Sequence, residues 1–210
     1  MINRQFYCVY DFETGGKNPH TCEPIQIAAY MLNGRTLDLV EGSNFNSYMK
    51  PTDFDSLEEE ALNINNITRE QLMEAPEQAD VWSKFVAYLK KYELNAWPKK
   101  PIPCGFNIDG YDSIIIERLC EKYGQIDKKR GHQNIFDIGS YDVLKDVKMW
   151  FENSNDLDNY KLSTVLDFCE IENTKAHDAL ADVIATAKLA QKFIRLRRNV
   201  FSQIKWKKNA

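Results

Sequence analysis

The chain has 210 residues, 43% of them apolar, which suits one domain with a substantial core, or one domain with a short appendage. Its formal net charge of −4 excludes a basic protein that coats nucleic acid. The same charge is compatible with an enzyme that acts on nucleic acid, because catalytic carboxylates and a local basic patch can coexist in one molecule.

The cysteines and the N-terminal residues bear on the cellular compartment. The cysteines are odd in number and no pair has Cys-x-x-Cys spacing, so we expect reduced thiols rather than disulfide bonds or a zinc site. The first ten residues lack the pattern of a signal peptide, and no run approaches the roughly 18 apolar residues of a membrane span. We therefore expect a cytoplasmic protein that does not bind a membrane.

The first part of the chain is predicted to form three strands. Residues 5–14 are dense in aromatic and β-branched side chains, and residues 24–32 and 36–50 are two further strand candidates. Between the last two, Asn33-Gly34 predicts a tight hairpin turn. We therefore expect these strands to form an antiparallel meander.

Helices and short strands alternate in the rest of the chain. Thr68 and Gln71 have the spacing of a capping box at the start of a short helix. Apolar residues then recur at helical spacing in four segments and form two short buried strands. The helical segments are 81–89, 115–123, 162–169 and 183–194, and the strands are 102–107 and 135–138. The pattern predicts an α/β fold in which a five-stranded mixed sheet has helices on both faces.

The C-terminal end is strongly basic. Residues 191–210 contain seven lysines and arginines and no acidic residue. We therefore divide the chain into a domain over residues 1–195 and a basic tail over residues 196–210. The tail is a candidate contact for nucleic-acid phosphates or for a polymerase.

Two carboxylates at the end of the first strand form the first candidate site. Asp11 and Glu13 are two residues apart, so their side chains point to the same face of a strand. Two close carboxylates repel each other unless a cation lies between them, and Mg²⁺ and Mn²⁺ accept such oxygen ligands. The alternative is that this pair is simply the polar face of an edge strand.

Two further segments carry candidate catalytic residues. His177 lies just before a helix that Asp178 is expected to cap, and Asp182 lies in its early turns. A neutral histidine near a metal-bound water can take its proton, although a surface histidine and a solvated acid are the alternative. Asp112 lies between a buried strand and a helix, where it could cap the helix and also face the end of the sheet, or could cap the helix alone.

Taken in order, these segments resemble the three motifs of the DnaQ-like, or DEDDh, family of 3′→5′ exonucleases. The third motif is similar to that of the exonuclease I branch of the family. At Asn65-Asn66 the chain departs from the family, because many members have His-Gly there. The matching segments are Asp11-Phe12-Glu13-Thr14-Gly15-Gly16, then Asn107 with Tyr111-Asp112, then His177 with Asp182.

The resemblance implies an RNase H-like fold and a two-metal-ion hydrolysis that releases nucleoside 5′-monophosphates. The four carboxylates of Asp11, Glu13, Asp112 and Asp182 would hold two Mg²⁺ ions, for which Mn²⁺ would substitute. His177 would be the general base. The expected substrate is the 3′ end of single-stranded DNA, and a replication or repair protein such as a polymerase is a possible partner.

Other residues and substrates remain open. The resemblance makes Thr14 and Gly15 candidate contacts of the terminal nucleotide, although the two glycines are equally compatible with a flexible loop. Phe106 and Tyr111 either stack on bases or belong to the core. An exoribonuclease of the oligoribonuclease or RNase T type is the alternative activity. A catalytically silent binding module, or one associated with a polymerase, is the other.

Overall fold

The computed structural model of the protein describes residues 4–95, 100–173 and 178–204. Its elements follow in chain order. They are β1 (Phe6–Thr14), β2 (Pro24–Asn33), β3 (Phe45–Tyr48), α1 (Glu59–Asn65), α2 (Arg69–Glu74), α3 (Gln78–Lys90), β4 (Ile102–Gly105), a 3-10 turn (Ile108–Gly110), α4 (Asp112–Tyr123), β5 (Ile126–Asp127), β6 (His132–Gln133), β7 (Tyr141–Asp142), α5 (Val143–Trp150), α6 (Leu162–Phe168) and α7 (Ala179–Gln203).

Five of the strands form one mixed sheet in the order β3-β2-β1-β4-β7. The pairs β1–β2 and β2–β3 are antiparallel, which confirms the predicted meander. The pairs β1–β4 and β4–β7 are parallel. β5 and β6 form a separate two-stranded hairpin that the sequence did not predict. The sheet thus has the predicted number of strands and the predicted mixed pairing, with β1 in the centre.

Helices cover both faces of this sheet. Alternate residues of β1 belong to two different hydrophobic clusters, because successive side chains of a strand point to opposite faces. Tyr10 packs in the cluster that includes the buried side chains of α3 and α4. Val9 packs in the cluster that includes those of α5, α6 and α7. The predicted α/β architecture is therefore confirmed, and β1 is buried between two layers of helices.

One predicted strand is wrong. Residues 135–138 form a bent segment, and the fifth strand of the sheet is β7, a few residues later. Ile135 and Phe136 are buried, as their apolar character requires. Their backbone N–H groups, however, donate hydrogen bonds of 2.9 and 2.8 Å to the side-chain oxygen of Gln133. Because these donors are bound locally, they are not available to a neighbouring strand.

The turn at Asn33-Gly34 is present but is wider than predicted. The N–H of Leu37 donates to the carbonyl oxygen of Asn33, and Leu37 adopts a left-handed φ of 65°. The side-chain oxygen of Asn33 also accepts from the N–H groups of Arg35 and Thr36. The strand after it is shorter than predicted, because only Phe45–Tyr48 pairs with β2 along a ladder.

The helix caps follow the sequence more closely. The capping box of Thr68 and Gln71 is present at the start of α2. Asp178 caps α7, where its side chain accepts a hydrogen bond from the N–H of Ala181. α7 continues to Gln203 and so passes residue 195. The division into a domain and a basic tail stays a prediction, because residues 205–210 lie outside the described part of the chain.

Two further expectations concern the cysteines and membranes. All five cysteines are free and buried, as expected for reduced thiols. Within the described ranges, no helix combines the length and the apolar character that crossing a bilayer requires.

Candidate active site

Strand β1 brings two carboxylates to the face of the sheet that α7 covers. Asp11 and Glu13 follow Val9 at two-residue steps, so they share the face on which Val9 packs with α7. Asp182 lies in the first turn of α7, four residues after the capping Asp178. The end of the strand and the start of the helix therefore meet at one place.

Three of the predicted acids form a cluster there. Asp11, Glu13 and Asp182 each offer one carboxylate oxygen, and these oxygens all lie within 4.8 Å of one another. Glu13 is buried, whereas Asp11 and Asp182 are half-buried, so the cluster is partly open to solvent. Three hard oxygen donors at this spacing suit a divalent cation such as Mg²⁺ or Mn²⁺. The donor set therefore fits the predicted metal.

Asp112 lies beside this cluster rather than within it. Both interpretations of the sequence had Asp112 capping α4, and this prediction is wrong, because Tyr111 is at the N-cap position and Asp112 is the first residue of the helix. The carboxylate of Asp112 accepts a hydrogen bond of 3.0 Å from the backbone N–H of Phe12, the residue between the two acids of β1. Asp112 is 4% exposed, and among neighbouring charges it contributes most to raising the pKa of Asp11.

Burial and mutual repulsion shift the pKa values of these acids upward. Burial is the largest cause for the Asp11 carboxyl, whose pKa lies well above its usual range, and the charges of Asp112 and Glu13 add to it. Burial and the charge of Asp182 raise the pKa of Glu13 to about 7. Burial also raises the pKa of Asp112 to about 7. A bound cation would offset this repulsion and favour the ionised carboxylates.

His177, the predicted general base, lies outside the described residues, as do 174–176. The nearest described residues on its two sides are Asn173 and Asp178. Asp178 begins α7, and the side chain of Asn173 donates a hydrogen bond to the carboxylate of Asp182. The role of His177 stays a prediction.

Thr14 and Tyr111 join the first motif to the second. Their hydroxyls are 2.8 Å apart, and each lies within 2.9 Å of the carbonyl oxygen of Gly16. Thr14 is buried and Tyr111 is half-buried. Tyr111 therefore fixes the loop after β1, whether or not its ring also touches a base.

Gly15 is tightly packed rather than part of a flexible loop. Its N–H donates to the carbonyl oxygen of Glu23 at 2.8 Å. A Cβ atom at this position would lie 2.3 Å from the Cδ2 atom of Leu57, so any larger residue displaces that side chain. The loop is thus held in one shape. Contact of Thr14 and Gly15 with a nucleotide stays a prediction.

Comparison with known proteins then identifies the family. The RNase T family model, described as exonuclease, matches residues 8–190. The chain belongs to this exonuclease family. Exodeoxyribonuclease I of Escherichia coli (strain K12) is 27% identical over 193 residues, which cover 88% of this chain and 39% of that protein. The predicted membership of the DnaQ-like exonucleases and the similarity to exonuclease I are confirmed.

Solved structures share the fold of this exonuclease domain. E. coli exonuclease I in complex with a dT13 oligonucleotide superposes with a TM-score of 0.74 at 20% identity, covering 94% of this chain and 43% of that one. Cell-death related nuclease 4 superposes with a TM-score of 0.69 at 18% identity, covering 91% of this chain and 64% of that one. The predicted RNase H-like fold is confirmed. The exonuclease domain spans about two fifths of the length of its exonuclease I relatives.

A groove borders two of the acids of the exonuclease domain. Asp11, Asp112 and Phe106 are among the residues that line it, and its volume is about 370 Å³. Phe106 is half-buried and also packs against the hydrophobic cluster under α7, so it belongs to both the core and the groove. Tyr111 lines the groove as well.

Asp142, which was not predicted as a site residue, holds the second motif in place. Asp142 ends β7 and is 6% exposed. Its carboxylate accepts hydrogen bonds from the N–H groups of Asn107 at 2.8 Å, Leu144 at 3.0 Å and Asp109 at 3.3 Å. It therefore caps α5 and also fixes the turn that leads to Asp112. The sequence signal that could have identified Asp142 is its position as an acid directly before the amphipathic helix α5.

Asn65 was noted only as a departure from the family. Its side-chain amide donates a hydrogen bond of 3.1 Å to the carbonyl oxygen of Thr14. Asn65 ends α1, and the next residue, Asn66, has a left-handed φ of 54° that terminates the helix. The first motif of the exonuclease domain is therefore supported from α1 as well as from Tyr111.

Proposed function

We propose that the chain is a 3′→5′ exonuclease that hydrolyses single-stranded DNA from its 3′ end and releases nucleoside 5′-monophosphates. The observation that carries this proposal is the cluster of Asp11, Glu13 and Asp182 within 4.8 Å, with Asp112 beside it. A phosphodiester is anionic, and so is this site. Cations bound to the acids are therefore needed to neutralise the negative charge that develops during hydrolysis. Membership of the exonuclease family supports the same conclusion.

The choice of substrate rests on the relatives. One is named exodeoxyribonuclease I, and a solved exonuclease I holds a dT13 oligonucleotide. A protein partner is proposed by the same route, since another solved structure is a complex of exonuclease I with SSB-Ct. For this chain we propose a replication or repair protein as the partner. Its free, buried cysteines support a reducing, cytoplasmic location.

Each acidic residue has a proposed role. Two divalent ions are held near the scissile phosphate by the four acids Asp11, Glu13, Asp112 and Asp182. The ions are Mg²⁺, for which Mn²⁺ can substitute. When bound, such ions activate water and neutralise the charge that develops on the phosphate oxygens. His177 takes the proton of the attacking water. Thr14 and Gly15 hold the terminal nucleotide, while Phe106 and Tyr111 contact bases.

The direct test is digestion of matched oligonucleotides that carry a label at the 3′ or the 5′ end, with Mg²⁺ or with EDTA. We expect the 3′ label to appear at once as a mononucleotide and the 5′ label to give a shortening ladder, both only with Mg²⁺. The reverse order of products, or undiminished cleavage in EDTA, contradicts the proposal. Faster digestion of matched RNA would favour an exoribonuclease, and binding without cleavage would favour a silent module.

A further inference from the structure

The loop that joins β1 to β2 covers residues 15–23 and follows directly from Thr14. Thr14 and Gly15 are the proposed contacts of the terminal nucleotide. At the base of the loop, the N–H of Gly15 donates a hydrogen bond of 2.8 Å to the carbonyl oxygen of Glu23. The two ends of the loop are therefore joined to each other, whereas its outer part, residues 18–22, needs other contacts to keep one shape.

Arg118 of α4 supplies these contacts. It is half-buried, and its Nη1 atom donates hydrogen bonds to the carbonyl oxygens of Pro19 at 2.8 Å and Cys22 at 2.9 Å. Within the described part of the chain, no other side chain from outside the loop bonds to the backbone of residues 18–22. Hydrogen bonds from a cation are stronger than those between neutral groups. Arg118 therefore holds the outer part of the loop against α4.

The outer part of the loop is connected to the proposed nucleotide contacts. Cys22 directly precedes Glu23, whose carbonyl oxygen accepts from Gly15. The Sγ atom of Cys22 also lies 3.8 Å from the hydroxyl of Tyr111. That hydroxyl is in turn 2.8 Å from the hydroxyl of Thr14. A shift of Cys22 would therefore reach both residues through short contacts.

The helix that carries Arg118 also carries Asp112 at its start. The two residues are separated by about 9 Å along the axis of an α-helix. Ile115 and Leu119 are buried and pack α4 against the sheet. One rigid helix thus connects an acid of the proposed metal site to the loop that follows the first motif.

The other cation of α4 is engaged elsewhere. Lys122 lies one helical turn beyond Arg118 and lines the same cavity of about 110 Å³. Its ammonium donates to the side chains of Gln78 at 2.8 Å and Thr52 at 3.2 Å. Removal of the Arg118 guanidinium would therefore leave the two carbonyl oxygens of the loop to water.

We propose that Arg118 is a positioning residue for the terminal nucleotide. Through the carbonyl oxygens of Pro19 and Cys22, it keeps the loop in the shape in which Thr14 and Gly15 bind that nucleotide. This assignment rests on the proposed exonuclease function. Without Arg118, only a fraction of the molecules has a loop that is ready to bind, and the apparent affinity falls in proportion to that fraction.

The test measures hydrolysis of the p-nitrophenyl ester of thymidine 5′-monophosphate, which offers a single nucleotide. For Arg118→Met we expect KM to rise about five- to twentyfold, as for a loop that has its binding shape about a tenth of the time. The kcat and the Mg²⁺ concentration for half-maximal activity should change by less than about twofold, because only binding of the nucleotide is weakened. Asp112 keeps its place at the start of α4.

Two further variants separate positioning from a general loss of stability. Both hydrogen bonds come from one nitrogen of Arg118, so the three N–H donors of a lysine ammonium can replace it. Arg118→Lys should therefore keep KM within about threefold of the unaltered protein. Tyr88→Phe is the matched control, since the Tyr88 hydroxyl donates at 2.7 Å to the carbonyl oxygen of Ser43, between β2 and β3. It should lower Tm and leave KM unchanged.

Three results would overturn the proposal. The first is an unchanged KM for Arg118→Met. The second is an equal rise in KM for Tyr88→Phe, which would trace the effect to stability alone. The third is a fall in kcat of Arg118→Met without a rise in KM, which would place Arg118 in the chemical step.

Failure of the underlying function gives a different result. If the unaltered protein cleaves neither the ester nor an oligonucleotide with Mg²⁺, the proposed exonuclease function is contradicted. Hydrogen exchange then tests the hold of Arg118 on the loop, at the N–H groups of Thr21 and Cys22, which donate to the carbonyl oxygen of Asn18. Faster exchange in Arg118→Met than in Tyr88→Phe supports this hold, and equal exchange would overturn it.

Discussion

The carboxylate of Asp112 accepts a 3.0 Å hydrogen bond from the backbone N–H of Phe12, which lies between Asp11 and Glu13. This bond joins the start of α4 to the middle of the first motif. The bond places the second acidic segment at a fixed position against the first. The spacing of the acids therefore depends on Asp112 twice, through its charge and through this contact.

We expect Asp112→Asn to abolish cleavage while the fold stays intact. Asparagine keeps an oxygen that can accept from the N–H of Phe12 but removes the negative charge. Asp109→Asn should cost less than about tenfold in kcat, because Asp109 is half-exposed and is paired with Lys145. The measurement is kcat of both variants at saturating Mg²⁺, with circular dichroism as the control of folding. The opposite ranking would place the metal ligand of the second motif at Asp109.

Asp142→Ala should lower both stability and catalysis. It removes the acceptor of three partly buried N–H groups, those of Asn107, Asp109 and Leu144, and each such hydrogen bond contributes about 0.5–1.5 kcal/mol. The loosened turn should raise the Mg²⁺ concentration needed for half-maximal activity, because it carries Asp112. Urea unfolding and Mg²⁺ titration of activity measure the two effects.

Asp146→Ala is the matched control for Asp142. Asp146 is buried like Asp142 and lies on α5. Its carboxylate, however, accepts a hydrogen bond from the hydroxyl of Tyr141 and pairs with Arg197, and it does not bond to the second motif. It should lower the free energy of unfolding and leave the Mg²⁺ dependence unchanged. If both variants shift the Mg²⁺ dependence equally, Asp142 has only a structural role.

Stabilisation by Mg²⁺ should increase with pH. Burial and repulsion raise the pKa of Glu13 and of Asp112 to about 7, whereas carboxyls of an unfolded chain titrate near about pH 4. Between these values the folded protein without metal holds protons that the unfolded chain has released. Its free energy of unfolding therefore falls as the pH rises through this window. Metal binding favours the ionised carboxylates and should reverse that loss.

The measurement is the change in Tm on adding excess Mg²⁺ at about pH 6 and at about pH 8. We expect the larger change at the higher pH. Glu13→Gln removes one of the titrating groups and should reduce both the stabilisation and its pH dependence. Equal changes in Tm at the two pH values would show that the acids are already ionised without metal.

His177→Ala should lower kcat by about 10²–10⁴-fold, the usual contribution of a general base. The KM for oligonucleotide should change little, because the proposed role is proton transfer rather than binding. His20→Ala is the control, since His20 is exposed on the loop before β2 and should behave as the unaltered protein. Near-normal turnover of His177→Ala would remove this residue from the mechanism.

The local patterns in the sequence predicted most of the fold. The density of aromatic and β-branched residues over residues 5–14 predicted the first strand. The two-residue step from Asp11 to Glu13 predicted their shared face, because strand geometry fixes which side chains point together. The cap at Asp178 likewise predicted the start of α7, and with it the position of Asp182. These features depend only on neighbours in the chain.

Features that depend on distant or competing contacts escaped prediction. The apolar run at 135–138 has the composition of a strand, but the side chain of Gln133 takes the N–H groups that a ladder needs. Asp142 and Asn65 act on segments more than 30 residues away, through hydrogen bonds that leave no periodic signal. The network of Thr14 and Tyr111 was missed for the same reason.

The acids are divided between the first strand and the last helix of the fold, since Asp11 belongs to β1 and Asp182 to α7. During synthesis, β1 leaves the ribosome long before α7 does. A nascent chain that still lacks the helix exposes Asp11 and Glu13 without the carboxylate that completes their cluster. On the proposed function, competence for catalysis therefore arises only once α7 has docked on β1, and nucleic acid near the ribosome meets an inert polypeptide until then.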